Sequence, residues 1–144
     1  MNGLTLQRIL LVEDSEDIQK IVEMSLSSFM GWDVKICGSG KQAVLEAVDF
    51  DPDLILLDMM MPGMDGMATL KALRAIPKMI FTPVIVMTAK AQTLEVEHYR
   101  RMGAIDVIQK PFDPILLPKT IHAMWDLHQV HLAYMKSRVQ DNPS

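Results

Sequence analysis

Short, uninterrupted apolar runs alternate along this chain with stretches whose apolar residues recur at helical spacing. Runs without a polar break are typical of strands buried on both faces of a parallel sheet. Because each run is followed by a helical stretch, the pattern predicts an open α/β sandwich, in which right-handed crossovers place helices on both faces of the sheet. The five predicted strands lie at about 9–12, 34–37, 54–57, 84–87 and 107–109.

The first three predicted helices each offer one apolar face to the sheet. Gly31 ends the first helix, Ser39 is a plausible cap for the second, and Pro77 ends the third. The residues that mark these faces are Ile18, Ile21, Val22, Ser25, Leu26 and Phe29 in the first helix, Ala43, Val44 and Ala47 in the second, and Leu70 and Leu73 in the third.

The last two predicted helices differ from the others. The fourth, at about 93–102, is mostly charged, so we expect it to contact the core only shallowly and to be able to move. The fifth begins at Pro114. Its apolar spacing, through Leu117, Ile121, Met124, Trp125 and His128, carries on to Leu132 and Met135, so we expect it to run past the body of the domain.

Length and composition fit one domain better than two. The chain has 144 residues, of which 49% are hydrophobic, and these can bury one sizeable core. We divide it into an N-terminal extension (1–7), one domain (8–128), and an extension of the last helix with a C-terminal tail (129–144), whose end from Gln140 onward looks frayed. The last 16 residues or so are too few for a separate DNA-binding domain, so we expect no attached output module.

Charge and hydropathy exclude several classes of partner. A net charge of -4 and a pI near 5.5 argue against a nucleic-acid-binding surface. Neither a signal peptide nor an apolar stretch of about 20 residues is visible, so we expect a cytoplasmic protein that does not bind membranes. The single Cys37 has no partner for an internal disulfide and is interpreted as a small packing residue.

Polar groups follow four of the predicted strands. Glu13 and Asp14 follow the first, Asp58 the third, Thr88 the fourth and Lys110 the fifth. Ligands of such sheets bind beyond the carboxyl ends of the strands, so these side chains are expected to share one crevice. Three carboxylates in one crevice repel unless a cation offsets them, and hard oxygen ligands favour Mg²⁺ or Mn²⁺ over zinc.

A phosphoryl group completes this arrangement. Magnesium held by few protein groups usually takes substrate phosphate into its shell, and Lys110 with the Thr88 hydroxyl can hold the remaining phosphoryl oxygens. The carboxylate of Asp58 is then the natural nucleophile on phosphorus. The strand ends therefore predict formation of an aspartyl phosphate at Asp58.

Four motifs occur in order at the expected strand ends. They are Leu11-Val12-Glu13-Asp14, Leu56-Leu57-Asp58 followed by Met61-Pro62-Gly63-Met64-Asp65-Gly66, Met87-Thr88-Ala89, and Gly103-Ala104 leading to Lys110-Pro111-Phe112. Any one of these motifs would be weak, but together they make the sequence resemble the receiver domains of two-component response regulators over about residues 8–127.

The resemblance implies a flavodoxin-like (βα)5 fold, a three-layer sandwich whose parallel five-stranded sheet has the order 2-1-3-4-5. It implies phosphoryl transfer from the phosphohistidine of a histidine kinase, or from a phosphotransfer protein, to Asp58. It also implies Mg²⁺ held by Glu13, Asp14, Asp58 and the backbone carbonyl of Met60.

The resemblance further implies how the domain switches. Lys110 would contact the phosphoryl group, and Thr88 would swing toward it and rearrange the face formed by the fourth helix and the fifth strand. By the same analogy, the Lys110-Pro111 peptide bond is expected to be cis. The outcome would be a change in protein-protein contacts with a downstream target that the sequence does not identify.

Three departures from the family pattern affect this interpretation. Val107 stands where the family usually has an aromatic ring that reports phosphorylation, so a switch through that position would not use a ring flip. Met60 and Lys90 stand at the sites that flank the hydrolytic water. Because methionine cannot orient that water by a strong hydrogen bond, we expect a long-lived phosphoryl group. Glu13 replaces the more frequent aspartate and should reach the metal through water.

Other interpretations stay open beside this one. Taken singly, Asp58 could be a helix cap, Lys110 a solvated charge and Thr88 an ordinary strand-end hydroxyl. A haloacid-dehalogenase-type phosphatase also uses a strand-end aspartate with Mg²⁺. Such an enzyme requires a second acid to protonate the leaving group, and this chain has Met60 at that position. A receiver-like scaffold that binds partners without phosphorylation is the other alternative.

The sequence therefore indicates a phosphoacceptor response regulator that catalyses only its own phosphorylation and dephosphorylation. Two features stay unassigned. The methionines around Asp58 (Met59, Met60, Met61, Met64 and Met67) could adapt to varied partners or fill the core. The extended last helix could form a homodimer or simply cap the sheet.

Overall fold

The computed structural model describes residues 5–141. Five strands alternate with five helices: β1 Arg8–Val12, α1 Glu16–Met30, β2 Asp33–Cys37, α2 Gly40–Phe50, β3 Leu54–Asp58, α3 Gly66–Arg74, β4 Val84–Thr88, α4 Thr93–Arg101, β5 Asp106–Gln109 and α5 Leu117–Asp141. A short 3₁₀ helix, Pro77–Met79, lies between α3 and β4. The predictions made for residues 1–4 and 142–144 fall outside the described residues.

The strands form one parallel sheet with the order β2-β1-β3-β4-β5, which confirms the predicted fold. The register sets the strand ends side by side. Val12 pairs with both Cys37 and Leu57, and Asp58 pairs with Met87. The carboxyl ends of β1, β3 and β4 therefore meet at one edge of the sheet.

Side chains alternate between the two faces of the sheet, and each face has its own core. One face packs with residues of α2, α3 and α4, and its strand side chains include Leu10, Ile55 and Val84. The other face packs with residues of α1 and α5, and its strand side chains include Ile9, Leu54 and Ile85. Two helical layers thus enclose one sheet, and its central strands β3 and β4, which are covered on both sides, are buried at every position.

Several local predictions are confirmed. Gly31 caps α1 in the left-handed conformation with φ 67°, and the Ser39 side chain accepts a hydrogen bond from the Gln42 amide at the start of α2. Cys37 is fully buried in the core, as a packing residue would be. The Lys110-Pro111 bond is cis, as the family resemblance implies.

Two helix boundaries were predicted wrongly. The helix α3 ends at Arg74 rather than at Pro77, because Ile76 precedes a proline and is held in an extended conformation with ψ 118°. The helix α5 begins at Leu117 rather than at Pro114. The Asp113 carbonyl accepts the amides of residues 116 and 117, and the Pro114 carbonyl accepts the hydroxyl of Ser25, so 114–116 form a turn docked on α1.

The predicted apolar face of α1 is also too wide. Val22, Ser25 and Leu26 are buried, whereas Ile21 and Phe29 are exposed. Helical spacing identifies a stripe, but the sheet and α5 cover only its middle. Within residues 5–141, none of the helices is both long enough and apolar enough to cross a bilayer.

Candidate functional site

The ends of β1, β3 and β5 bring three ionisable groups into direct contact. The ammonium of Lys110 lies 2.8 Å from Oε1 of Glu13 and 3.1 Å from Oδ1 of Asp58. Glu13 directly follows β1, Asp58 is the last residue of β3, and Lys110 directly follows β5. Glu13 lies 97 positions before Lys110 in the chain, and Asp58 lies 52 positions before it. One side chain thus holds two residues that are distant in sequence.

Both carboxylates of this group are buried. Glu13 and Asp58 are each only 1% exposed. A buried charge is costly unless it is paired and hydrogen-bonded. Oε2 of Glu13 accepts the Ser15 amide at 3.2 Å, and Oδ1 of Asp58 accepts the Met60 amide at 3.1 Å. Backbone donors and one ammonium therefore hold both side chains in place.

Burial and charge shift the pKa values of Glu13 and Lys110, which lie close to Asp58 in space. Burial raises the pKa of the Glu13 carboxyl and outweighs the hydrogen bonds from Lys110 and Ser15, and the Asp58 carboxylate adds to the rise. Burial alone would lower the pKa of Lys110, but its hydrogen bonds to Glu13 and Asp58 outweigh this effect and raise it. Lys110 is therefore a cation fixed by its two acidic neighbours.

Asp14 completes an acidic cluster at the mouth of the crevice. Glu13, Asp14 and Asp58 each offer an oxygen, and these atoms all lie within 4.8 Å of one another. Asp14 is exposed, so the cluster opens to solvent. Lys110 contacts two of these three carboxylates, and every candidate ligand atom is a hard oxygen, which is the chemistry that suits Mg²⁺. The residues present fit the predicted ion.

Thr88 ends β4 beside Asp58 and is buried. Its hydroxyl oxygen accepts the Lys90 amide at 3.0 Å. The hydroxyl hydrogen is left to be donated to another acceptor, such as a phosphoryl oxygen. The movement of Thr88 expected from the family resemblance stays a prediction.

The loop after Asp58 divides its methionines between two environments. Met59 and Met61 are buried in the core, whereas Met60 is exposed beside the crevice. Core filling explains the first two. Met64 and Met67 are half-buried, and Met60 is the most exposed of the five methionines. The role of the Met60 carbonyl as a metal ligand stays a prediction, as does a switching role for Val107, which packs against the core and pairs with Val86.

Gly66 determines how closely α3 approaches this loop. A Cβ atom at residue 66 would lie 2.5 Å from Cα of Met59 and 2.6 Å from the carbonyl oxygen of Asp58. Only glycine allows the helix to begin there. The side chain of Asp65 then caps α3 by accepting the Ala68 amide at 2.9 Å.

Two residues that support the site were not identified from the sequence. Ser15 caps α1 and donates its amide to Glu13, and its position just before a helical stretch is a signal that could have found it. The Gln19 side chain donates to the Glu13 carbonyl oxygen at 2.6 Å. No sequence pattern marks Gln19, because the contact depends on how α1 is set against β1.

Comparisons with known proteins agree with this geometry. A family model described as the response regulator receiver domain matches residues 9–122. The DNA-binding response regulator MtrA of Mycolicibacterium paratuberculosis is 37% identical over 117 residues, which are 81% of this chain and 50% of that protein. The chain thus spans about half the length of the curated relatives that it first matches.

Two solved structures share the fold at similar identity. The chemotaxis response regulator CheY4 of Vibrio cholerae superposes with a TM-score of 0.77 at 30% identity, covering 83% of this chain and 99% of that one. A fusion that carries residues 181–211 of the yeast Spc42 trimeric coiled coil has a TM-score of 0.78 at 29% identity and covers 96% of this chain and 87% of that one.

Proposed function

We propose that this chain, which belongs to the family of response regulator receiver domains of two-component signalling, accepts a phosphoryl group on Asp58. The single observation that carries the proposal is the position of the Lys110 ammonium, in contact with both Asp58 and Glu13. Glu13 and Asp14 offer carboxylate oxygens within 4.8 Å of those of Asp58, which supports the proposal.

The proposed step follows from what each side chain can donate or accept. Oδ1 of Asp58 is held by Lys110 and by the Met60 amide, which leaves Oδ2 to attack phosphorus. The new O-P bond forms as the P-N bond to the donor histidine breaks, and the imidazole leaves with the electron pair. Lys110 and the Thr88 hydroxyl stabilise the charge on the phosphoryl oxygens.

The acidic cluster would hold Mg²⁺, or Mn²⁺, through Glu13, Asp14, Asp58 and the Met60 carbonyl. When bound, the ion would supply positive charge that offsets the repulsion between these carboxylates and the incoming phosphoryl group. Because Asp14 is exposed, an ion held there would be accessible to a phosphoryl oxygen and to water.

Three partners follow from this function. A histidine kinase or a phosphotransfer protein would supply the phosphoryl group, and an unidentified downstream protein would bind the altered surface. We also propose that the chain forms a homodimer, to which the end of α5 could contribute, since every side chain from residue 130 to 139 is exposed. The chain would catalyse only its own phosphorylation and dephosphorylation.

Intact mass spectrometry tests the central step. The protein is incubated with a small phosphodonor and Mg²⁺, and we expect a gain of one phosphoryl group that is absent without Mg²⁺. Asp58→Asn should show no gain, because the amide is a poor nucleophile. Asp17→Asn is the matched control, since Asp17 is an exposed aspartate at the start of α1.

Two outcomes would contradict the proposal. An adduct that persists in Asp58→Asn would place the acceptor elsewhere. A folded protein that never gains a phosphoryl group would favour the scaffold alternative, in which the chain binds partners without being phosphorylated. The phosphatase alternative lacks its second acid, because the Met60 thioether carries no proton to transfer.

A further inference from the structure

The crevice around Asp58 meets solvent through a small number of residues. Glu13, Asp58 and Thr88 are each only 1% exposed, so a molecule from solvent reaches them past neighbouring side chains. Within two positions of these residues in the chain, the exposed residues are Asp14, Met60, Ala89 and Lys90. The mouth of the crevice thus presents one thioether, that of Met60, to solvent.

Met60 differs in exposure from the methionines on either side of it. Its side chain is 62% exposed, whereas those of Met59 and Met61 are 7% and 8% exposed. The Met60 amide donates to Oδ1 of Asp58 at 3.1 Å, so the backbone of this residue is fixed against the phosphoryl acceptor. Oxidation converts the apolar methionine side chain into a polar sulfoxide. In this run of three methionines, an oxidant from solvent therefore reaches the one that is bonded to Asp58.

We propose that Met60 is a site of oxidation by hydrogen peroxide, and that its sulfoxide shortens the lifetime of a phosphoryl group on Asp58. The inference rests on the proposed function, because it concerns the aspartyl phosphate. The sulfur attacks one peroxide oxygen, and the S–O bond forms as the O–O bond breaks. The other oxygen leaves as hydroxide and takes the proton of the new S–OH group to become water. Sulfur gives up an electron pair and is oxidised, and the peroxide is reduced.

The sulfoxide changes what the crevice offers to a hydrolytic water. A thioether sulfur is a weak hydrogen-bond acceptor, whereas a sulfoxide oxygen is polar. In hydrolysis, the water oxygen bonds to phosphorus as the P–O bond to Asp58 breaks. Asp58 leaves with the electron pair, and the protons of the water stay with the released phosphate. An acceptor at the mouth of the crevice orients the attacking water, so oxidation of Met60 should speed this step.

Other methionines are as accessible as Met60 but lie elsewhere. Met24 is 69% exposed on α1, and Met135 is 49% exposed near the end of α5. Neither lies within two positions of a buried polar residue of the site. Peroxide should oxidise these residues as well, because exposure alone makes a methionine accessible. The position beside Asp58 is what gives oxidation of Met60 a consequence for the phosphoryl group.

Peptide mapping of the full chain after mild treatment with hydrogen peroxide tests the modification. We expect one added oxygen on Met60 and on Met24, while Met59 and Met61 stay reduced. This measurement needs no phosphodonor, so its result is independent of phosphoryl transfer. A Met60 that stays reduced while Met24 is oxidised would overturn the proposal.

Decay of the phosphoryl adduct tests the consequence. The chain is phosphorylated with a small phosphodonor and Mg²⁺, the donor is removed, and the loss is followed by intact mass, with and without earlier peroxide treatment. Oxidation of the parent should speed the loss about two- to tenfold, which is the worth of one added hydrogen bond. Met60→Leu carries no thioether at this position, so peroxide should not change its rate. Met24→Leu is the matched control, and peroxide should speed its loss as in the parent.

The outcomes separate this inference from the proposed function. An unchanged rate in the oxidised parent would remove the inference and leave the proposed function intact. Peroxide that speeds the loss equally in Met60→Leu would assign the effect to another residue and overturn the inference. A chain that never gains a phosphoryl group, oxidised or reduced, would overturn the proposed function and the role of Met60 with it.

Discussion

The middle of the sheet and its α4–β5 edge bury very different amounts of side chain. Every residue of β3 and β4 is buried, and both strands are covered on two faces. The helix α4 has one buried residue, Tyr99, and the strand β5 also has one, Ile108. The centre is therefore a packed core, whereas the edge is held by few contacts.

The candidate site joins these two regions. Asp58 and Thr88 are the last residues of the buried strands, whereas Lys110 follows the edge strand. The Arg74 side chain ties the edge to the body by donating to the Gly103 carbonyl at 3.0 Å, and it also donates to the carbonyls of Met79 and Thr82, at 2.7 Å each. We infer that the centre fixes the acceptor and that the edge is the part able to adjust around it.

Truncating a leucine in each region should give the largest contrast. Leu57→Ala removes a fully buried side chain of β3 and should lower the free energy of unfolding by about 2–5 kcal/mol through lost burial and a cavity. Leu94→Ala, on the exposed side of α4, should change it by less than about 0.5 kcal/mol. Urea denaturation measures both, and equal losses would mean that the edge is as tightly packed as the centre.

Binding of Mg²⁺ should change the free energy of unfolding by an intermediate amount, and this change should depend on the centre of the sheet and not on its α4–β5 edge. Ion binding to the folded state should raise the free energy of unfolding by about 1.4 kcal/mol at ten times its dissociation constant. Asp14→Asn should reduce this gain, because it removes one of the three clustered carboxylates. Glu97→Gln, an exposed acid of α4, is the control and should leave the gain unchanged. A gain of equal size in both variants would exclude the acidic cluster as the site.

The pH dependence of stability should show the smallest effect, at His128 of α5, which shares a cavity with Ile105 and Asp106 at the start of β5. Burial lowers the pKa of His128 below its ordinary value of 6.5, and His131 and Arg74 add to this shift. The unfolded chain therefore binds the proton more readily than the folded chain does. The stability contributed by neutral His128 is present above pH 6.5 and is lost as the pH falls through the folded pKa.

Denaturation between neutral and mildly acidic pH checks this sign. His128→Gln should flatten the pH dependence in this window, because the amide does not titrate there. His98→Gln, which changes an exposed histidine of α4, should keep the slope of the parent. A parent that loses no more stability than His128→Gln as the pH falls from 6.5 would contradict the direction of the His128 shift.

Prediction from the sequence succeeded where the signal was local. The central strands β3 and β4 are runs of apolar residues that end in Asp58 and Thr88, and Lys110 directly follows β5, so Asp58 and Lys110 could be placed at the same edge of a sheet. Prediction failed where a contact with a distant element decided the outcome. The turn before α5 depends on Ser25 of α1, and the exposure of Ile21 and Phe29 depends on where α5 lies.

The sequence by itself determined the alternation of strands and helices, the parallel sheet and the residues that end its strands, because hydrophobic period and chain punctuation are local properties. Tertiary structure alone decided that one lysine touches two carboxylates, that Gln19 holds the Glu13 carbonyl, and that Arg74 joins three loop carbonyls. These contacts depend on distances set by packing across the sheet, which no local pattern encodes. The same distinction holds for α5, whose spacing is visible in the sequence but whose uncovered end is visible only in the fold.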